Sequence, residues 1–246
     1  MIRGKTIEID TSKWLRSTDR FVGFIDIMGF KDMVARINPE IIYIMMRRIR
    51  ESTFQNVVIH GIDSPENGYE SNIYITTYSD SILVYSSDNS TESLNSFINA
   101  ISGLINDLIK NEIPYKGAIA YGIMTLDFKN SIFFGQPLID AYLLQEELAF
   151  YGVIVHSTAE DSIRNSQNKY CFEYNCPLKK TETQRLTILP EFLEPEPLYE
   201  ISYNDYYNAT ESLRKKTPIN LQVYIDKTLQ YLESFKNSQT DIVKED

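Results

Sequence analysis

Cysteine, histidine and tryptophan are nearly absent: the 246 residues hold two cysteines, two histidines and one tryptophan. A lone cysteine pair, Cys171 and Cys176, is not a disulfide framework in a chain of this size. A zinc centre would need two more ligands, and only His60 and His156 remain, so zinc is disfavoured. Positive charge is also scarce, with 24 Lys and Arg against 34 Asp and Glu and a formal net charge of -10. That balance argues against a sequence-independent nucleic-acid binder, which needs a cationic face to release counterions. It argues equally against docking on anionic lipid. No apolar run is long enough to span a bilayer, and the polar, charge-alternating stretch from Met1 to Lys13 does not read as a signal peptide. The expectation is a reduced, cytoplasmic protein. What is present is ordinary for a globular chain: 43% hydrophobic and 24% charged residues, enough length to bury a full core without disulfides or a structural metal. There is no internal repeat and no low-complexity segment.

Periodicity supplies the elements. Phe21 to Ile27 (FVGFIDI) is an apolar run broken by one acid and reads as a buried strand. After Gly29, Phe30 to Ile37 reads as a short helix, and Pro39 opens a second with Ile41, Ile42, Met45, Met46 and Ile49 at helical spacing. Gly61 to Gly68 is a polar loop. Ile73 to Tyr78 and Ile82 to Tyr85 read as strands joined by the turn residues Ser79, Asp80 and Ser81. Thr91 to Lys110 is an amphipathic helix, and Lys116 to Met124 (KGAIAYGIM) is the next buried strand. A short strand ends at Gly135. Gln136 to Tyr151 reads as a long helix with Pro137 in its first turn, and Val153 to His156 as a strand. Ser157 is expected to cap the following helix, with Glu160 completing a capping box. Tyr170 to Tyr203 reads as hairpins and loops, Leu221 to Phe235 as a last helix, and the tail from Asn237 as frayed. The order predicts an α+β fold, an antiparallel or mixed sheet with helices packed on one face. Residues 1–20 form an extension, 21–203 the main domain, and 204–246 a C-terminal helix and polar tail.

Two acids stand out of place. Asp26 lies inside a strand apolar on both faces, where an unpaired carboxylate costs several kcal/mol. It needs a partner, unless the strand ends at Ile25 and Asp26 caps the next helix. Asp80 at the hairpin tip is a common turn residue when taken alone. Together the two are more informative, because a small sheet can set a mid-strand acid beside a hairpin-tip acid. No Lys or Arg in either strand neutralises them. Two converging carboxylates repel, and a divalent ion with oxygen ligands, Mg²⁺ or Mn²⁺, resolves the repulsion. Directly after Asp26, the turn at Gly29 and Phe30 leads into a helix whose N–H groups can meet phosphate oxygens. Metal carboxylates beside a phosphate cradle suggest a nucleoside triphosphate site. Strand alternation puts Phe24 on the face of Asp26, and Thr76 and Tyr78 on the face of Asp80. With Ser81 these make a hydroxyl-rich pocket with one aromatic wall, suited to a small base. The alternative is that Phe24 is plain core.

At these residues the chain resembles class III nucleotidyl cyclases. FVGFIDIMGFKDMV is similar to their first strand and metal turn, and YITTYSDSILVYS to their metal-bearing hairpin. KGAIAYGIM and FFGQPLIDAYLLQEELAFYGVIVHS are similar to their later strands and long helix. The order implies the ferredoxin-like βααββαβ cyclase core. The wording FIDIMGF, SDSI, GAIAYG and FGQPLIDAY most resembles the pyrimidine cyclases of bacterial Pycsar anti-phage systems. The resemblance implies conversion of UTP or CTP to a 3′,5′-cyclic monophosphate that switches on an effector. It implies two divalent cations held by Asp26, Asp80 and the Ile27 carbonyl, and a homodimer in which each protomer completes its partner's site.

The purine cyclases carry a Lys four residues before the second aspartate and an Asp three residues before the glycine that opens the long helix. Here Thr76 and Ile132 stand in those places, which disfavours ATP and GTP. The family's Asn and Arg of the long helix fall at Asp140 and Leu144, so the Arg is gone. Lys116, Lys179, Lys180 and Arg185 are the candidate replacements, with Lys179 assigned to the nucleotide, and each is otherwise an ordinary surface charge. Aromatic and apolar residues at Phe133, Phe134, Leu138, Tyr142 and Leu143 are either interface or core. The alternatives to a pyrimidine cyclase are a GGDEF-like cyclase, for which no signature hairpin is present, and a degenerate cyclase domain that binds a nucleotide or partner and regulates.

Overall fold

Residues of β1 (Ser17–Ile27) alternate in environment: Gly23, Ile25 and Ile27 are fully enclosed, while Phe24 and Asp26 are only partly covered. That alternation follows from the pleat, which sends successive side chains to opposite faces, and it organises everything that follows. The computed structural model describes residues 9–57, 70–190 and 203–245. His60 and the loop expected at Gly61 to Gly68 lie outside the described residues.

After β1 come α1 (Phe30–Arg36), α2 (Pro39–Val57), β2 (Ile73–Tyr78), β3 (Ser81–Ser86), α3 (Thr91–Lys110) and β4 (Tyr115–Asp127). Then follow β5 (Ile132–Gly135), α4 (Gln136–Glu147), β6 (Val153–Val155), α5 (Ser157–Ser166), β7 (Cys171–Pro177), β8 (Glu182–Ile188), α6 (Tyr203–Ser212) and α7 (Gln222–Glu245). One sheet runs β2-β3-β1-β4-β6-β8-β7, with β5 paired to β4. The β4–β6 pair is parallel and the rest antiparallel, so the sheet is mixed. The first four strands in the order β2-β3-β1-β4, with α1, α2 and α3 between them, are the expected βααββαβ core.

α3 closes one face. Its stripe of Leu94, Phe97, Ile98, Ile101, Leu104, Ile105 and Leu108 is buried, and Ser90 caps it by accepting from the Ser93 N–H at 3.2 Å. Packing is so close that a Cβ on Gly23 would stand 2.9 Å from the Ile101 side chain. The opposite face differs from the one-sided packing expected. There α4 lies across β4 and β1, with Tyr142 against Phe24. Beside it a second small core forms around Val22, Tyr85, Met124 and Leu126, closed by Trp14, Tyr74, Phe128, Phe133 and Leu138.

Several boundaries differ from the periodicity: β1 starts at Ser17, inside the expected extension, and β4 runs from Tyr115 to Asp127. α4 stops at Glu147 rather than Tyr151, because backbone groups at its end pair with the end of β7 and the turn after it: the Lys179 N–H donates to the Glu147 carbonyl and the Ala149 N–H to the Pro177 carbonyl. α5 is capped by His156, whose Nδ1 accepts from the Thr158 N–H, while Glu160 pairs with Arg185 at 3.1 Å. α7 continues to Glu245, past the expected end. A further helix, α6, precedes it and shares the main core, where the Tyr206 hydroxyl bonds that of Tyr115 at 2.9 Å. Tyr206, Ile225, Leu229, Tyr231 and Leu232 join the same buried cluster as β1 and α3.

Candidate functional site

The face away from α3 carries its side chains in rows set by strand register. One row runs Thr76, Leu83, Phe24 and Ala118 across β2, β3, β1 and β4. The next runs Tyr78, Ser81, Asp26 and Lys116. Residues paired across antiparallel strands point to the same side, so Phe24, Asp26, Thr76, Tyr78 and Ser81 share one surface; alternation pairs Phe24 with Asp26 and Thr76 with Tyr78, and register joins the strands. Asp80 sits in the turn between β2 and β3, beside Ser79 in the left-handed region at φ 57°. Its carbonyl accepts from the Ile27 N–H at 2.8 Å, which draws the hairpin tip onto the end of β1.

Asp26 is therefore a strand residue with an acid beside it, not a helix cap. Its carboxyl is pushed up to about 6, first by burial and then by the charge of Asp80, against the opposing pull of Lys116 and with a further push from Glu146. Neither β1 nor the β2–β3 hairpin supplies a cation to the pair, but β4 does: Lys116 is the register partner of Asp26. Its side chain is enclosed, with the residue 4% exposed, and Nζ donates to the Gln145 carbonyl at 3.3 Å. Burial lowers its pKa, partly offset by Glu146. A charge inside the apolar stretch KGAIA was the available signal, the same one that singled out Asp26.

The other candidates separate. Lys179 is exposed and lies 3.8 Å from Glu146. Arg185 is taken by Glu160, and Lys180 is exposed. Asp140 lies on α4 and accepts from the Gln136 amide at 2.8 Å. Leu144 is partly buried against the main core. Gly29 is left-handed at φ 76° with open space where a Cβ would be, and α1 begins there with no side-chain cap. Phe30 is half-buried against the core. Tyr78 is 81% exposed, so its ring is free, whereas Phe24 already meets the edge of Tyr142 at 5.4 Å between ring centroids. Among the five aromatic and apolar residues around Gly135, Phe133 and Leu138 belong to the second core, while Phe134, Tyr142 and Leu143 are exposed. Cys171 and Cys176 are free thiols, both pushed up to about 12 by burial.

No group of three or more His, Cys, Asp and Glu side chains is arranged to hold a metal among the described residues. The donor set at Asp26 and Asp80 is all oxygen and two carboxylates strong. That suits a Mg²⁺-like ion, which keeps its waters and takes one or two carboxylates together with substrate phosphates. Among the described residues, no helix is long and apolar enough to cross a membrane.

Neither a family model nor a curated protein matches the sequence. Solved structures do. The monomeric guanylyl cyclase domain of the RhoGC fusion protein from the aquatic fungus Blastocladiella emersonii matches with a TM-score of 0.52 at 14% identity, over 72% of this chain and 98% of its own. The guanylate cyclase domain of RhGC from Catenaria anguillulae, in complex with GTP, gives 0.51 at 13% identity over 72% and 100%. The adenylyl cyclase CyaB from P. aeruginosa gives 0.50 at 13% over 73% and 98%. The chain has the fold of the class III cyclase catalytic domain.

Proposed function

We propose that this chain is a pyrimidine nucleotide cyclase, making a 3′,5′-cyclic pyrimidine monophosphate from the triphosphate with release of pyrophosphate. UTP is favoured and CTP is the second choice. The product would act as a cytoplasmic second messenger in anti-phage defence, reaching its effector by diffusion. The observation that supports the reading is the charge of Asp80 acting on the half-covered Asp26 carboxyl in a chain with a cyclase fold. The absence of the two purine-reading groups, with Thr76 and Ile132 in their places, supports a pyrimidine.

In the proposed reaction the ribose 3′-oxygen attacks the α-phosphorus in line, forming the O3′–P bond as the bond to the β-phosphate oxygen breaks. The 3′-hydroxyl proton leaves to water and pyrophosphate departs. Two divalent cations, when bound, neutralise phosphate charge and acidify that hydroxyl. Asp26 and Asp80 hold them, with the Ile27 carbonyl as a further ligand. The open Gly29–Phe30 turn receives phosphate oxygens. Phe24, Thr76, Tyr78 and Ser81 contact the base, and Asp140 and Lys179 reach the rest of the nucleotide. The active form is a homodimer with shared sites, supported by the exposed apolar surface of Phe134, Ile139, Tyr142 and Leu143.

Incubation with each of the four nucleoside triphosphates and Mn²⁺, read by mass spectrometry, tests the reading. Cyclic UMP or CMP is expected; cyclic AMP or GMP alone would overturn the specificity. No product with any substrate would favour the second reading, a nucleotide-binding regulatory domain, whose support is Leu144 in the position of the helix arginine.

A further inference from the structure

The charges around the acid pair continue beyond it in alternating sign. Asp26 on β1 faces Lys116 on β4. Glu146, Lys179 and Glu147 also act on the Lys116 ammonium, as does Asp26 itself. Glu146 in turn stands 3.8 Å from Lys179. Lys116 is 4% exposed as a residue, and its ammonium donates to the Gln145 carbonyl in the last turn of α4, where a cation complements the helix dipole. Gln145 also holds a buried side-chain oxygen with no hydrogen-bond partner. An enclosed ammonium anchored to a helix end cannot swing out to grasp a phosphate. Its field, however, acts on the carboxylate beside it with little screening.

We propose that Lys116 is a positioning residue that sets how the acid pair takes its metal: it opposes capture of a bare divalent ion and favours an ion that arrives already bound to a triphosphate. The inference rests on the reading of Asp26 and Asp80 as metal ligands. The Lys116 ammonium offsets part of the attraction that the two carboxylates exert on a doubly positive ion, and Glu146 restores part of it. A metal–triphosphate complex carries negative charge of its own, which Lys116 and Lys179 attract. The site therefore discriminates between the free ion and the substrate complex without any contact from Lys116 to either.

The test is Mn²⁺ affinity without nucleotide, followed by electron paramagnetic resonance, in the wild type and in Lys116→Met, Lys116→Gln and Lys116→Arg. Removing the charge is expected to tighten Mn²⁺ binding about ten-fold, while the arginine variant stays near the wild type. The glutamine variant removes the charge while keeping a polar group at the position. Glu146→Gln, at a half-exposed position that tolerates substitution, is expected to weaken Mn²⁺ binding about three-fold by leaving the Lys116 field unopposed. Equal affinity across folded Lys116 variants, or no weakening in Glu146→Gln, overturns the proposal, as does the absence of Mn²⁺ binding in the neutral variants. Asp26→Asn separates the two levels. If Mn²⁺ binds and Asp26→Asn does not weaken it, the metal reading of the acids fails and the inference falls with it. If Asp26→Asn abolishes binding but the Lys116 variants match the wild type, only the role of Lys116 is lost.

Discussion

The two faces of β1, β3 and β4 are built from alternating residues of the same strands, yet they do opposite things. Toward α3 stand Ile25, Ile27, Ile82 and Val84, all buried in the main core. On the other face stand Phe24, Asp26, Ser81 and Lys116, with two opposed charges and partial access to water. The first face is a source of stability. The second carries groups whose desolvation costs stability, which a purely structural sheet would have filled with apolar side chains. On the reading proposed above, a period of two separates holding the fold from binding a ligand within one strand.

The sharpest way to break that contrast is to remove an acid. Asp26→Ala or Asp80→Ala is expected to lower cyclic-nucleotide formation at least about 1,000-fold, equivalent to roughly 4 kcal/mol of transition-state stabilisation. Product measured by mass spectrometry checks it. The neighbouring change on the other face has the opposite profile. Ile25→Ala should cost about 2–5 kcal/mol of stability through the cavity it leaves under α3, read by denaturant titration, with activity per folded molecule retained.

Smaller effects sharpen the comparison within the open face. Phe24→Ala and Tyr78→Ala are expected to shift the ratio of pyrimidine to purine turnover by about five- to ten-fold, the scale of losing one apolar contact to a base. Tyr78→Ala should leave stability within about 0.5 kcal/mol, because an exposed side chain contributes little. Equal changes for all four substrates would remove the base-contacting role. The smallest expected effect is on pH. The Asp26 carboxyl is raised from 3.8 to about 6 in the fold, so it binds its proton more tightly folded than unfolded. The stability it contributes is complete below the unfolded value and is lost as pH rises through about 6. Asp26→Asn should then raise the metal-free melting temperature by a few degrees at pH 7.5 and by nothing near pH 3.5, as thermal scans at the two pH values would reveal.

Much of this was legible in the sequence where a single element carried its own signal. The stripe of α3 and the apolar runs of β1 and β4 announce buried faces, and Asp26 announces itself by interrupting one. Ser79 and Asp80 mark a tight turn by composition. What stayed hidden depends on partners distant in the chain. Lys116 opposite Asp26 is a matter of β1–β4 register, which no local pattern specifies. The end of α4 at Glu147 is decided by backbone bonds from Lys179 and to Pro177, and the helical pattern runs on past it. His156 holds the cap expected of Ser157 because α5 already begins at Ser157, and Glu160, one position too far along for a capping box, pairs with Arg185 across the fold.

The central claim is that Asp26 and Asp80 are kept for a ligand at the expense of the fold. The most direct measurement is the melting temperature of the wild type, Asp26→Asn and Asp80→Asn with and without Mn²⁺. The wild type should gain stability on adding Mn²⁺, as any ligand that binds only the native state confers. Both variants should melt no lower than the wild type without metal and should gain nothing from it. A drop of many degrees in the metal-free variants, or an undiminished gain with Mn²⁺, would contradict the account and return both acids to a structural role.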